Sequence, residues 1–306
     1  MNVVRTRSRA GRLARLRVGL LPYLLILPAI ILTAMIVIYP LISNVINSLQ
    51  TDYRAIQQVQ EVKFVGIANY IGAWNDGLLQ QSVSNSFRYT VGVVVLSFIL
   101  GFTCALLLNQ LVRTQTFYRV LIVLPWVISP VIAGFTWRWL LNDKLGYLNA
   151  VLLGLGIIKD PVIWLGDPGR ALISVILAGT WRSFPFAMIM ILAGLQRVSQ
   201  ELLEAAQIDG ASAAQKFRYV TVPQLRSVLV VILLLSFIWT FNDFGLIQIM
   251  TGGGPLSATM VLPVRINRVA FANLRMGTAS ALALTLSMVL LVLSIIYLQF
   301  AQRDVD

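Results

Sequence analysis

Six apolar stretches in this 306-residue chain are each about as long as a helix that crosses a bilayer, which takes roughly 20 consecutive apolar residues. They run from about residue 20 to 44, 87 to 111, 120 to 140, 171 to 195, 228 to 249 and 276 to 302. Lipid offers the backbone no hydrogen-bond partners, so only helices and closed barrels can span it. Unbroken runs of about 20 residues, rather than alternating segments of about 10, select helices. The expected fold class is therefore an all-α integral membrane protein with six transmembrane helices. Composition agrees, since only 12% of residues are charged, against about 25% in an average soluble domain.

The net charge of +12 raises the question of nucleic acid, and Arg5, Arg7, Arg9, Arg12, Arg15 and Arg17 crowd the segment 1–19. Arginines directly before a first span are the usual cytoplasmic retention signal, so membrane orientation accounts for them and no nucleic-acid partner is expected. No A-x-A site follows the first run, which is also long for a signal peptide, and it is expected to remain as a helix. With both termini in the cytoplasm, the segments on that side hold thirteen Lys and Arg residues and the longer outer loops hold eight. That bias is the one expected for six spans with both ends inside. Cys104 is the only cysteine, so no intrachain disulfide can form. Histidine is absent, which removes the commonest general base and metal ligand, and neither catalytic nor metal-binding residues are expected.

Several connecting segments carry their own signals. The polar stretch after the first span includes FVGIANY at 64–70. The second span offers Gly92, Ser97, Gly101 and Ala105 for close helix contact. The third contains Pro125 and Pro130, with Trp137 and Trp139 placed for an outer aromatic belt. Residues 147–158 are apolar but too few to span, and are read as an interfacial helix. TGGGP at 251–255 lacks the lysine and hydroxyl of a phosphate-binding loop, and is expected to be a flexible outer turn.

Between the fourth and fifth spans lies a polar, amphipathic segment, 199–225. Ser199 is placed to cap a first helix, Glu201 and Glu204 suit the positive end of its dipole, and Gly210 can end it in a left-handed conformation. A second helix from about Ala211, carrying Lys216 and Arg218, is expected to stop before Pro223. Glu204-Ala205-Ala206, three residues, Gly210, nine residues, then Val220-Thr221-Val222-Pro223 closely resembles the EAA loop of ABC importer membrane subunits, E-A-A-x3-G-x9-I-x-L-P. Valine stands at the family's Ile and Leu positions. The resemblance implies a type I ABC importer (MetI-like) permease fold, and a coupling role for Glu204, Ala205, Ala206, Asp209 and Gly210 in a cleft of a cytoplasmic ATPase subunit.

Ionisable side chains inside a span cost roughly 2.5 to 3.5 kcal/mol on insertion scales, which makes Arg182 and Asp243 functional candidates. Gly179, Arg182, Ser183 and Phe186 fall on one face of the fourth span, and Ser236, Thr240 and Asp243 repeat that spacing in the fifth. Spacing alone leaves two roles open: these stripes either glue helices together or line a pocket. The run AGTWRSFPFAMIM, 178–190, resembles the corresponding span of the maltose-type membrane subunit. There, positions matching Gly179, Arg182, Ser183 and Phe186 line the sugar site, as do those matching Ser236, Thr240, Asp243, Trp126 and Pro130. Arg182 and Asp243 differ in type from that subunit's residues, and Arg182 is left either facing the pathway or pairing with Asp243.

The resemblance covers about residues 27–300 and points to carbohydrate-type importers of the maltose, glycerol-3-phosphate and lactose kind, in a bacterial or archaeal cytoplasmic membrane. It implies a second homologous permease subunit, two ATPase subunits that carry ATP and Mg, and an extracytoplasmic solute-binding protein. The absence of a Walker A sequence agrees with ATP hydrolysis elsewhere, so no enzyme and no resident cofactor are expected in this chain. Two other classes match part of the pattern. Asp209-Gly210 followed by Ala213 fits the D-G-x2-A of CDP-alcohol phosphotransferases, but the further aspartates of that metal site do not follow within thirty residues. A secondary active transporter would also hold charges at mid-membrane, yet the inverted repeats typical of one are not seen.

Overall fold

The computed structural model describes residues 25–52, 62–110 and 114–303, with side chains as far as residue 299. The basic segment 1–19, the start of the first expected span and Arg113 lie outside the described residues. Twelve helices can be traced through them. Helix α1 is Leu25–Ser48, α2 Ala68–Asn75 and α3 Leu78–Asn109. A bent pair follows, α4 Gln115–Val127 and α5 Pro130–Leu140, and then the short α6, Tyr147–Gly154. Next come α7 Pro168–Leu195 and α8 Gln200–Ile208, and α9, Ala213–Phe241. The last are α10 Gly245–Met250, α11 Leu262–Asn267 and α12 Met276–Arg303. Five of these are long and apolar enough to cross a membrane, and the bent pair makes a sixth span when counted as one. The all-helical membrane fold read from the sequence is thus present.

Helices α3 and α7 run parallel and form the spine, and glycine sets how closely the two approach. A Cβ on Gly101 would come within 2.8 Å of both Ala187 Cβ and Met188 N, so only glycine fits there. Pro185 does not break α7. By contrast α1 buries only Ser48 among its residues and rests against α12 along its second half.

The FVGIANY stretch acts as a clasp at one end of the bundle. Asn69 Nδ2 donates to the carbonyls of Ser48 and Gln50, at 2.8 and 2.7 Å, and Tyr70 donates to Ser48 Oγ. Asp52 in turn accepts from Thr278 N and Oγ1 and from Arg275, tying the end of α1 to the start of α12.

The structure corrects five expectations about the fold. The third span is not one helix: α4 and α5 meet at 92°. Ile128 and Ser129 are extended, Ser129 preceding a proline, and the Ser129 hydroxyl accepts from Val131 N to cap α5, which starts at Pro130. The fifth span ends at Phe241 and resumes only at Gly245. Asn242 and Asp243 favour side-chain bonds to nearby backbone over helix continuation, and Asn242 Nδ2 donates to Ile238 O at 2.9 Å. The second helix of the polar segment does not stop before Pro223 but runs on as α9, because a π-turn at Phe217–Thr221 widens the backbone before the proline ring. The same device, a π-turn at Ala34–Ile38, precedes Pro40.

Finally, TGGGP opens a packed segment rather than a flexible turn. Thr259 Oγ1 donates to Gly254 O at 2.7 Å, and Met260, Val261, Leu262 and Val264 are buried. Arg265 in α11 is buried against Asp76, and that burial lowers its guanidinium from the ordinary value while the Asp76 charge opposes the shift. Trp137 is likewise not a belt residue: it packs inward 5.9 Å from Trp181, whereas Trp139 is exposed.

Candidate substrate pocket and coupling segment

The two helix breaks lie together. Gly245, at the start of α10, sits against Pro130 at the start of α5, where a Cβ would meet Pro130 Cβ at 3.2 Å. Farther along, Gly134 of α5 lets Ile249 of α10 approach, so the two short helices pack as a pair. Irregular backbone at membrane depth is tolerated only where protein buries it or a cavity borders it. A cavity of 190 Å³ does border these breaks.

Trp126 near the end of α4, Arg182, Ser183 and Phe186 of α7, and Ser236, Trp239 and Thr240 of α9 line it. The aromatic rings form one wall: Phe186 lies 4.9 Å from Trp239 and 6.0 Å from Trp126, centroid to centroid. Hydroxyls and a guanidinium face them. Such a surface suits a ligand with apolar C–H faces and many hydroxyl groups.

Arg182 both lines the cavity and pairs with a carboxylate. Its Nη2 lies 3.4 Å from Asp243 Oδ2, with 21% of the Arg182 side chain exposed and 6% of Asp243. The same Oδ2 accepts from the Tyr89 hydroxyl at 2.8 Å. Gly179 is the seat of Tyr89, since a Cβ there would come 2.7 Å from the Tyr89 oxygen. Arg182 Nε is buried with no hydrogen-bond partner among the described residues.

Six of the nine residues expected at a pocket therefore meet at one: Trp126, Arg182, Ser183, Phe186, Ser236 and Thr240. The other three stand behind it. Gly179 receives Tyr89, Pro130 begins α5, and Asp243 leaves its helical stripe at the break to sit beneath Arg182. Sequence reasoning missed Tyr89 and Trp239. Trp239 was findable, three residues from Ser236 on the same face, but nothing local marks Tyr89.

The polar segment 199–225 is built differently. None of residues 200–221 is buried. Helix α8 ends in a Schellman arrangement: Gly210, at φ +78°, donates to Gln207 O and Ala211 N donates to Ala206 O. Ser199 does not cap α8 with its side chain. The cap falls instead on Ser212, whose hydroxyl accepts from Gln215 N while the Gln215 side chain accepts from Ser212 N, a capping box that starts α9. Glu204 accepts from Gln200 at 3.2 Å, and Lys216 Nζ donates to Gln207 across the glycine corner at 3.1 Å. Leu202, Tyr219 and above all Ile208, 86% exposed, present an apolar surface there.

Comparison with known proteins agrees with this architecture. Residues 97–303 match the family described as "Binding-protein-dependent transport system inner membrane component". The sn-glycerol-3-phosphate transport system permease protein UgpA of Agrobacterium fabrum is 32% identical over 94% of this chain and 96% of its own length. The trehalose/maltose transport system permease protein MalF of Thermococcus litoralis is 33% identical over 91% of this chain and 92% of its own. In fold, the chain superposes with TM-score 0.81 and 21% identity on a subunit from the crystal structure of a bacterial ABC transporter involved in alginate import, covering 96% of this chain and all of that one. A clustered pocket between broken spans, an EAA-type segment and a match over two thirds of its length together make this chain a member of the inner membrane components of binding-protein-dependent transport systems.

Proposed function

We propose that the chain lines half of the translocation pathway of an ATP-driven ABC importer whose cargo is a sugar, oligosaccharide, polyol or sugar-phosphate-like solute. Membership of the family makes it a multi-pass permease component of the cytoplasmic membrane. The observation that carries the cargo reading is the pocket, where an aromatic wall of Trp126, Phe186 and Trp239 faces Ser183, Ser236, Thr240 and Arg182. Its 190 Å³ falls short of the roughly 300–1,000 Å³ typical of small-molecule sites, as expected if a second, homologous permease subunit supplies the remaining wall. The names of the relatives, one for trehalose/maltose and one for sn-glycerol-3-phosphate, support a polyhydroxylated cargo.

The segment 199–225 is the coupling element in this reading, with Glu204, Ala205, Ala206, Asp209 and Gly210 placing the exposed Leu202 and Ile208 in a cleft of an ATPase subunit. Two such subunits carry ATP and Mg and perform the hydrolysis, and an extracytoplasmic binding protein delivers the cargo. In this reading the segment and both chain termini face the cytoplasm, a placement supported by the excess of Lys and Arg in the segments on that side.

Uptake of labelled disaccharides, polyols and glycerol phosphates by cells carrying this importer tests the proposal. Trp239→Ala should lower uptake of the transported member of the panel about tenfold or more, the loss of a good aromatic contact amounting to over 1 kcal/mol. Wild-type uptake in a Trp239→Ala importer would refute the pocket as the cargo site.

A further inference from the structure

We propose that Asp243 sets the charge of the pocket: it cancels Arg182 and so restricts this half of the pathway to uncharged, polyhydroxylated cargo. The inference rests on the pocket being the cargo site. Among the described residues Arg182 is the only charged one lining the cavity, and taken alone it would draw anions. It is not alone, because Asp243 Oδ2 lies 3.4 Å from Nη2 and is itself nearly inaccessible.

The carboxylate is also held in place. Tyr89 donates to the same oxygen at 2.8 Å, and the Tyr89 ring is fixed by its seat on Gly179. Asp243 N donates to Thr240 O, which anchors the backbone at the helix break. A phosphate or carboxylate on a cargo molecule would therefore meet a compensated cation with a fixed negative charge directly behind it. Displacing Asp243 would leave that charge buried without a cation. What remains available for recognition is neutral: three hydroxyls, unshared guanidinium donors and the aromatic wall. Asp243 is thus a specificity-determining residue, although it does not line the cavity.

Charge-selective thiol chemistry reads this without knowledge of the cargo. In the assembled importer with Cys104→Ser and Ser236→Cys, the rate of modification of this chain is measured with an anionic methanethiosulfonate (ethylsulfonate) and a cationic one (ethyltrimethylammonium). The ratio of the two rate constants should stay within about threefold of that for a small free thiol. Asp243→Asn should shift it about tenfold or more toward the anionic reagent, and Arg182→Gln by a similar factor toward the cationic one. If Asp243→Asn does not assemble, the Arg182→Gln arm decides alone. A ratio already tenfold toward the anionic reagent with Asp243 in place, or one that neither substitution moves, would overturn the inference while leaving the pocket on the pathway. Failure of both reagents to modify Ser236→Cys would place the cavity off the water-filled route and overturn the cargo reading together with this inference.

Discussion

The pocket and the coupling segment are both polar regions of an apolar chain, yet they are held by opposite means. At the pocket, Tyr89 of α3, Arg182 of α7 and Asp243 at the break between α9 and α10 are far apart in sequence and are held together by burial and by a glycine seat. Between 199 and 221 almost every bond joins residues within nine positions of one another, and no side chain is buried. The pocket therefore draws its geometry from the whole bundle. The segment 199–225 brings its own geometry, as the coupling role proposed for it requires.

Three substitutions would break or sharpen this contrast. The largest effect is expected at the pocket, where Asp243→Ala strands the half-buried Arg182 guanidinium and the buried Tyr89 hydroxyl together. Removing one partner of a buried pair costs about 3–5 kcal/mol. Thermal unfolding of the detergent-solubilised complex should show a clear loss of stability, partly recovered in the double variant Asp243→Ala/Arg182→Gln, and equal loss in the single and double variants would show that the pair is not coupled. Gly210→Val should cost less, about 1–3 kcal/mol and confined to the corner, because a β-branched residue is forced to φ +78°. Assembly should persist while cargo-stimulated ATP hydrolysis collapses; normal stimulation would show that the corner does not set the coupling geometry. The smallest effect is expected for Ser212→Ala, which removes one cap worth about 1 kcal/mol. Faster amide exchange should appear at 213–216 alone, and spread of that exchange into the pocket helices would erase the distinction between the two regions.

The same contrast explains what could be read in the sequence. Gly210 and the EAA spacing are local codes, and the left-handed corner stands where they place it. Ser212-x-x-Gln215 is also a local code, and giving the cap to Ser199 overlooked it. On α7, helical spacing correctly gathers Arg182, Ser183 and Phe186. It fails for Gly179, whose neighbour Tyr89 lies ninety residues earlier, and for Asp243, because periodicity assumes a helix that ends at Phe241. That break is stabilised by α5 packing on α10, a tertiary contact with no signature inside either stretch beyond Asn242, Gly245 and Pro130. Likewise the rule that a helix stops before proline gave the wrong end at Pro223, since a single wider turn absorbs the missing donor.

The paired breaks also determine what cargo must replace. Interrupting two spans exposes helix-end amides and carbonyls at a depth where lipid cannot solvate them, and those that Ser129 and Asn242 do not reach must be hydrated. Under the proposed cargo reading, binding would be an exchange in which solute hydroxyls take over hydrogen bonds from water. Its free energy is the small difference between two similar sets of bonds. In that reading a site built this way would hold its solute loosely, and loose retention would allow the solute to leave on the far side as readily as it arrived.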